Sequence, residues 1–226
     1  MNPSDRIKIA KRIVRELKQG QVVNLGVGIP TLIPDYLGEK KLVLQSENGL
    51  LGMGPTPPAD EVNMDLISAS KAPITMEIGA SLFDSSNSFA MIRGGHIDVA
   101  VLGVLQVDQT GEIANWAVPG ETILGVGGAM DLVAGANEII IATLHSSKSG
   151  EPKLVKELTY PSSGIRKADL VVSEHAVFKF EEGKMKLVEI LSDMSEEDLK
   201  QITGAEFECS PVISNSSLED SVSEEG

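Results

Sequence analysis

Leu42-Val43-Leu44-Gln45-Ser46-Glu47-Asn48-Gly49-Leu50-Leu51-Gly52-Met53-Gly54-Pro55 sets an acidic residue where an apolar run stops and a glycine-rich segment begins. A charged side chain at the end of a buried strand, followed by residues that tolerate φ > 0 and carry little bulk, can point into a cleft with backbone N–H groups around it. A carboxylate is a poor nucleophile in water, so it attacks a carbonyl only when partly desolvated and rigidly held. Glu47 is the candidate for that role. The alternative is that Asn48-Gly49 is a two-residue hairpin turn joining the flanking strands, with Glu47 an exposed flank.

Composition narrows the classes. The chain has 226 residues, 42% of them hydrophobic but only 4% aromatic, so its core must be built from Ile, Val, Leu, Ala and Met. Aliphatic, glycine-rich composition suits an α/β fold whose strands are covered on both faces. The net charge of −14 leaves no basic stripe to neutralise phosphates, which argues against a nucleic-acid partner. Part of that charge is local, because from Glu206 onward there are six acidic residues and no Lys or Arg. One cysteine, Cys209, precludes an internal disulfide framework and fits a reducing compartment. No apolar run approaches the ~18 residues of a membrane span, and Met1 to Arg15 lacks a signal-peptide core. A cytoplasmic protein is expected.

The N-terminal segment predicts a helix capped by Ser4 or Asp5, with Ile9, Ala10, Ile13, Val14 and Leu17 on its apolar side and Gly20 as its stop. Arg6, Lys8, Lys11, Arg12, Arg15 and Lys18 are expected to face solvent or a partner. Gln21–Leu25 reads as a strand running into Gly26-Val27-Gly28-Ile29-Pro30, with a helix from Pro30 to Tyr36. That loop resembles a phosphate-binding turn but has neither G-x-G-x-x-G spacing nor the Lys-Ser/Thr of a P-loop. With Leu42–Gln45 as the next parallel strand, the Gly26 loop and Glu47 would share the carboxyl edge of one sheet, where ligands bind in such folds.

Further along, Ile74–Ile78 reads as a strand preceded by Lys71, which is either a surface lysine or a point charge for a diphosphate. Ser88–Arg93 predicts a helical turn or two, and Ile97–Val107 a single central strand. Gly125-Val126-Gly127-Gly128 opens onto a helix over 129–134, whose free N–H groups would favour a phosphate or a developing oxyanion. Close packing of that helix on the sheet would demand the same glycines. Strands are expected at Glu138–Leu144 and Asp169–Ser173, a strand or short helix at Lys153–Leu158, and an antiparallel edge hairpin from Val177–Glu181 and Met185–Ile190. Ser195 caps a last helix. Residues 1–208 read as one domain and 209–226 as an acidic, disordered tail. His96, His145 and His175 are dispersed, and no metal site is expected.

Ser46-Glu47-Asn48-Gly49, Asn24-Leu25-Gly26-Val27-Gly28-Ile29-Pro30, Ser88 through Asp98 and Gly125 through Asp131 together resemble the B (β) subunit of family I coenzyme A transferases of the 3-oxoacid type, in order from near residue 1 to about residue 208. The resemblance implies an open, mostly parallel α/β sheet with helices on both faces, related to that of ribose-phosphate isomerases. It implies an enzyme that moves CoA from an acyl-CoA to a short-chain or 3-oxo acid, such as acetoacetate, butyrate, acetate or succinate, by a ping-pong route through a glutamyl-CoA thioester on Glu47. Asn24 would lie beside that glutamate, Gly128 near the reacting carbonyl, and Lys71 near CoA, with Gly26, Gly28 and Gly127 as further CoA-binding candidates. CoA would be substrate and covalent intermediate, with no permanently bound cofactor. An A (α) subunit would supply the other wall of the site, including an oxyanion loop for which this chain has no Gly-Gly-Phe, and two copies of each subunit are expected.

Thr159–Gly164 and Ser173–Phe178 depart from the family's commoner forms, which bears on substrate class or on contact between subunits. The rival readings are a sugar-phosphate isomerase on a related fold, which needs a proton-transfer pair and no CoA, and a non-catalytic CoA-binding subunit, which would tolerate Glu47→Gln.

Overall fold

A computed structural model describes residues 2–123 and 125–215. Its elements in chain order are α1 (Pro3–Glu16), β1 (Val22–Leu25), a 3-10 helix (Ile29–Tyr36), β2 (Val43–Ser46), β3 (Leu50–Met53), β4 (Met76–Leu82), α2 (Ser85–Arg93), β5 (Val99–Leu102), β6 (Gln106–Asp108) and β7 (Ile113–Ala114). There follow α3 (Ala129–Gly135), β8 (Glu138–Ala142), β9 (Leu154–Val155), β10 (Leu170–Val172), β11 (Ala176–Glu181), β12 (Lys184–Ile190), α4 (Glu196–Ile202) and β13 (Glu208–Asn215).

Ten strands form one sheet in the order β13-β12-β11-β10-β8-β5-β1-β2-β3-β4, and β7-β6-β9 form a small second sheet. The middle of the large sheet, β2-β1-β5-β8-β10, is parallel. Both flanks turn antiparallel, through β3 and β4 on one side and β11 and β12 on the other. From β1 the chain moves outward to β4, then returns past β1 to β5 and onward to β10. The order therefore reverses between β1 and β5, and the carboxyl ends of strands at such a reversal leave a crevice for ligands.

The parallel strands are mostly apolar because both of their faces are covered. Val23, Leu44, Val99, Val101 and Ile140 pack toward Ile9 and Ile13 of α1, Leu17 just after it and Ile33 of the 3-10 helix. Ala100, Leu102, Ile139 and Ile141 pack on the opposite side with Ile92 of α2, Leu132 and Val133 of α3, Phe178 of β11 and Leu199 of α4. Each fully buried Ile, Leu or Phe contributes about 1.5–3 kcal/mol relative to exposure, so this two-sided burial dominates stability. The expected fold class, an open and mostly parallel α/β sheet with helices on both faces, is what forms.

Several local expectations change. Asn2, not Ser4 or Asp5, caps α1, because Pro3 occupies the first helical position and Asn2 accepts from the Ser4 N–H at 3.2 Å. Arg12 does not face solvent: it is 7% exposed and its Nε donates to Glu189 of β12 at 2.6 Å, while Nη1 donates to Glu16 at 2.7 Å. The stretch 97–107 is not one strand, because the chain leaves the large sheet at Gly103, where a Cβ would meet the Val27 carbonyl at 3.3 Å, and re-pairs as β6 with β7 and β9. The strand expected at 74–78 lies at 76–82 and is an edge with Ile78 and Leu82 exposed.

The β11–β12 hairpin forms but is not an edge, since β13 pairs parallel to β12. Residues 209–215 thus belong to a strand rather than to a tail, and the remainder of the expected tail, 216–226, lies outside the described residues. Ser195 caps α4 as expected, within a reciprocal capping box with Asp198.

His145 is fully buried at the end of β8, with Nδ1 3.0 Å from Ser173 Oγ and Nε2 2.9 Å from Thr203 Oγ1. Burial, aided by neighbouring His175, lowers its pKa to about 4. The unfolded chain takes up this proton near pH 6.5 and the native chain only near 4. Between those values the unfolded state binds more protons, so stability that is complete above pH 6.5 is lost as pH falls toward 4, by about 3 kcal/mol in all. Urea unfolding at pH 7 and pH 5 should therefore show a smaller acid loss for His145→Gln than for the native chain, by about 2 kcal/mol.

Candidate active site

β2 and β3 are joined by a tight turn, with Ser46 opposite Leu50 and the Gly49 N–H donating to the Ser46 carbonyl at 3.0 Å. Gly49 has φ +121°, and a Cβ there would come 2.0 Å from the Phe83 carbonyl oxygen, so only glycine fits. The turn is clamped from a second side. Asn48 Nδ2 donates to the Ile67 carbonyl at 2.8 Å, and Ser46 Oγ accepts from the Ala69 N–H at 2.9 Å. The hairpin of the simpler reading therefore exists, yet Glu47 is not its exposed flank.

Glu47 is half-buried, two residues beyond Gln45 on one side of β2, and its carboxyl group lies over the start of α3. Burial is the main influence raising its pKa above the ordinary 4.5, with the charge of Asp131 adding to it and a hydrogen bond from the Gly128 backbone opposing both. Asp131 is itself engaged by Arg93, whose Nε lies 2.8 Å from Oδ1. The Gly128 N–H is an unsatisfied donor of the first turn of α3, and the Glu47 carboxylate gives it a partner.

The crevice at the strand reversal is a cavity of about 520 Å³, within the usual range for small-molecule sites. Glu47, Gly26, Gly28, Gly127 and Gly128 all line it. Gly26 is drawn close to β5, donating to the Val101 carbonyl at 2.8 Å.

Asn24 and Lys71 are placed differently. Asn24 is 1% exposed and does not line the cavity; in register with Gln45, its Nδ2 donates to the Gln45 side-chain oxygen, and Gln45 Nε2 donates to Ser88 Oγ of α2 at 2.7 Å. Strand alternation turns it under α2, where it braces β2 just before Glu47 instead of touching the carboxylate. Lys71 is exposed at φ +64°, on a turn closed by its N–H to the Ser68 carbonyl, next to Ala69 and Ser70, which do line the cavity.

Sequence reading missed Arg6, Asn115, Thr143 and Lys153, which also line the cavity. Lys153 Nζ donates to the Val104 carbonyl at 3.1 Å and reaches Thr143 Oγ1 at 3.4 Å, and burial lowers its pKa. No pattern in the sequence sets it apart, because its neighbours in the cavity come from the ends of β5 and β8. No group of His, Cys, Asp and Glu among the described residues could hold a metal ion.

The family model described as coenzyme A transferase matches residues 6–199. The chain belongs to the coenzyme A transferase family. It is 48% identical over 203 residues, 90% of this chain and 98% of the other, to the B subunit of the succinyl-CoA:3-ketoacid coenzyme A transferase of Helicobacter pylori (strain ATCC 700392 / 26695). To the beta subunit of the acetate CoA-transferase of Escherichia coli (strain K12) it is 46% identical over 202 residues, 89% and 92% of the two chains. The acyl-CoA transferase apoenzyme of Escherichia coli O157:H7 shares its fold, with a TM-score of 0.75 at 24% identity over 94% of this chain and 43% of that longer one.

In this coenzyme A transferase chain Gly128 tests the site geometry. Its backbone, at φ −85° and ψ −2°, accepts alanine, but a Cβ would stand 2.4 Å from Glu47 Oε2. The carboxylate is the flexible end of a side chain, so it yields at little cost in stability and is displaced. Gly128→Ala should melt close to the native chain while kcat in the assembled enzyme falls about 100-fold, the effect of roughly 1 Å of misplacement. Unaltered kcat would separate the Gly128 contact from function.

Proposed function

We propose that the chain is the B subunit of a cytoplasmic CoA-transferase that moves CoA from an acyl-CoA to a short-chain carboxylic or 3-oxo acid, with Glu47 as the covalent nucleophile. The observation that carries this reading is the half-buried Glu47 carboxylate set against the Gly128 N–H in the crevice at the strand reversal. An isomerase would need a second proton-transfer group beside Glu47, and the nearest acid, Asp131, is held by Arg93.

The steps balance without a cofactor. A Glu47 oxygen attacks the thioester carbonyl carbon, the C–S bond breaks, and CoA thiolate leaves an acyl-glutamyl anhydride. The thiolate then attacks the Glu47 carbonyl carbon, expelling the first acid as carboxylate and leaving a glutamyl-CoA thioester. The second acid repeats the sequence in reverse and restores the Glu47 carboxylate. Thioester is exchanged for thioester, so little free energy is lost, and the site, once an A subunit covers it, keeps water from both activated intermediates. As charge leaves Glu47, the Gly128 N–H is released to donate to the oxyanion that develops on the attacked carbonyl.

Gly26, Gly28 and Gly127 let the CoA chain approach the backbone, and Lys71, just outside the cavity, supplies a point charge for its phosphates. An A subunit completes the site, with two copies of each chain. The relatives' designations as B and beta subunits support such a partner.

Glu47→Gln, assembled with an A subunit, should lose CoA transfer by on the order of 10³-fold or more. Native enzyme treated with acetoacetyl-CoA should carry a CoA-sized adduct on the Glu47 peptide in mass spectra, absent from the variant. The raised pKa adds a stability sign. Native Glu47 holds its proton to higher pH than unfolded Glu47, so its ionisation opposes folding above that window, and Glu47→Gln should be at least as stable as native at pH 7. Wild-type turnover by Glu47→Gln would refute the nucleophile.

A further inference from the structure

We propose that Lys153 is the residue that reads the far end of the acyl group, selecting acids that carry an oxygen on carbon 3 or 4 over those that carry none. The inference rests on the CoA-transfer reading above and assigns the part of the cavity that Glu47 and the glycine loops do not use.

Besides Glu47 and Gly128 the cavity is lined by Val104, Asn115, Thr143 and Lys153, and by the apolar Leu102, Leu132 and Ala142. Lys153 Nζ is fixed between the ends of β5 and β8 by its contacts to the Val104 carbonyl and Thr143 Oγ1. Both partners are neutral, no carboxylate among the described residues lies within 4.0 Å of this ammonium, and Glu174 attracts it only from farther off. A lysine stripped of part of its hydration and given no carboxylate in direct contact is costly, and an anionic or strongly accepting ligand offsets the cost. Burial lowers its pKa, the same cost seen in its proton affinity.

Geometry sets the ligand length. Glu47 follows β2, while Nζ sits between β5 and β8, two to three strand spacings along the sheet order β2-β1-β5-β8. At about 4.8 Å per strand this is roughly 12 Å, an upper measure because the Glu47 carboxyl leans over α3. A near-attack contact of about 3 Å, a four-carbon acyl chain and one hydrogen bond of about 3 Å span that distance. The recognised class is therefore a short acyl group with a 3-oxo oxygen or a terminal carboxylate, and the apolar lining suits the carbons between.

Butyrate, acetoacetate and succinate have equal chain lengths and differ only in that oxygen, so they isolate the contact. In the assembled enzyme with acetyl-CoA as donor, the kcat/KM ratios of acetoacetate and of succinate to butyrate are measured for native, Lys153→Met and Lys153→Gln chains. The proposal expects at least one native ratio to exceed one and to fall at least 10-fold in both variants. A fall of less than 10-fold in these ratios, as when all three acids lose alike or none does, overturns it, since a structural role or a contact to the CoA phosphates moves every acid equally. Native preference for butyrate over both other acids also overturns it. A native complex that transfers CoA to none of them yet forms the Glu47 adduct with acetoacetyl-CoA overturns the Lys153 assignment alone, and one that forms no adduct refutes the CoA-transfer reading and the assignment with it.

Discussion

A carboxylate that is neither fully hydrated nor fully buried is the constraint around which this chain is arranged. Half-burial raises the free energy of the Glu47 anion, and one backbone N–H, from Gly128, returns part of it. That balance holds only if two elements distant in sequence meet with little slack. The turn after β2 must be rigid, and the start of α3 must come so close that a Cβ there would displace the carboxylate. Gly49 and Gly128 meet these demands in different ways, one through backbone conformation together with space and the other through space alone.

The supporting structure follows from that requirement. The parallel core fixes β1, β2, β5 and β8 side by side, so loops leaving their carboxyl ends converge on one crevice. Asn24, Gln45 and Ser88 form a buried polar chain that ties β1 and β2 to α2 on the side where Glu47 emerges. Its members satisfy one another, so it adds register without an unpaired donor. On the other face Arg12 joins α1 to β12 through Glu189, a buried pair whose desolvation offsets much of its attraction. Its value lies more in orienting α1, which brings Arg6 to the cavity, than in net stability.

Much of this was legible in the sequence where the signal is local. Alternation in 177–181 and 185–190 marked the β11–β12 hairpin, Ser195 marked the α4 cap, and the glycine loops located the crevice with Glu47 in it. Non-local facts were not legible. The helical pattern assigns Arg12 to a polar face, and nothing near it in sequence announces Glu189, 177 positions away. The continuous apolar run through 97–107 hides a change of sheet that depends on Val27 crossing beside Gly103. Asn24 lies close to Glu47 in the fold, but the direction of its side chain is set by its register with Gln45. Lys153 has no motif at all, since its significance comes from its place beside the Val104 carbonyl and Thr143, with no carboxylate in direct contact among the described residues.

The edge strand β4 has an implication for how such a chain must be handled by a cell. Ile78 and Leu82 project from a row of backbone groups with no strand beyond them among the described residues, and such a margin recruits other extended chains indiscriminately. Synthesised without anything to cover it, the polypeptide is a seed for precipitation, so its yield in soluble form is tied to the supply of whatever shields that border.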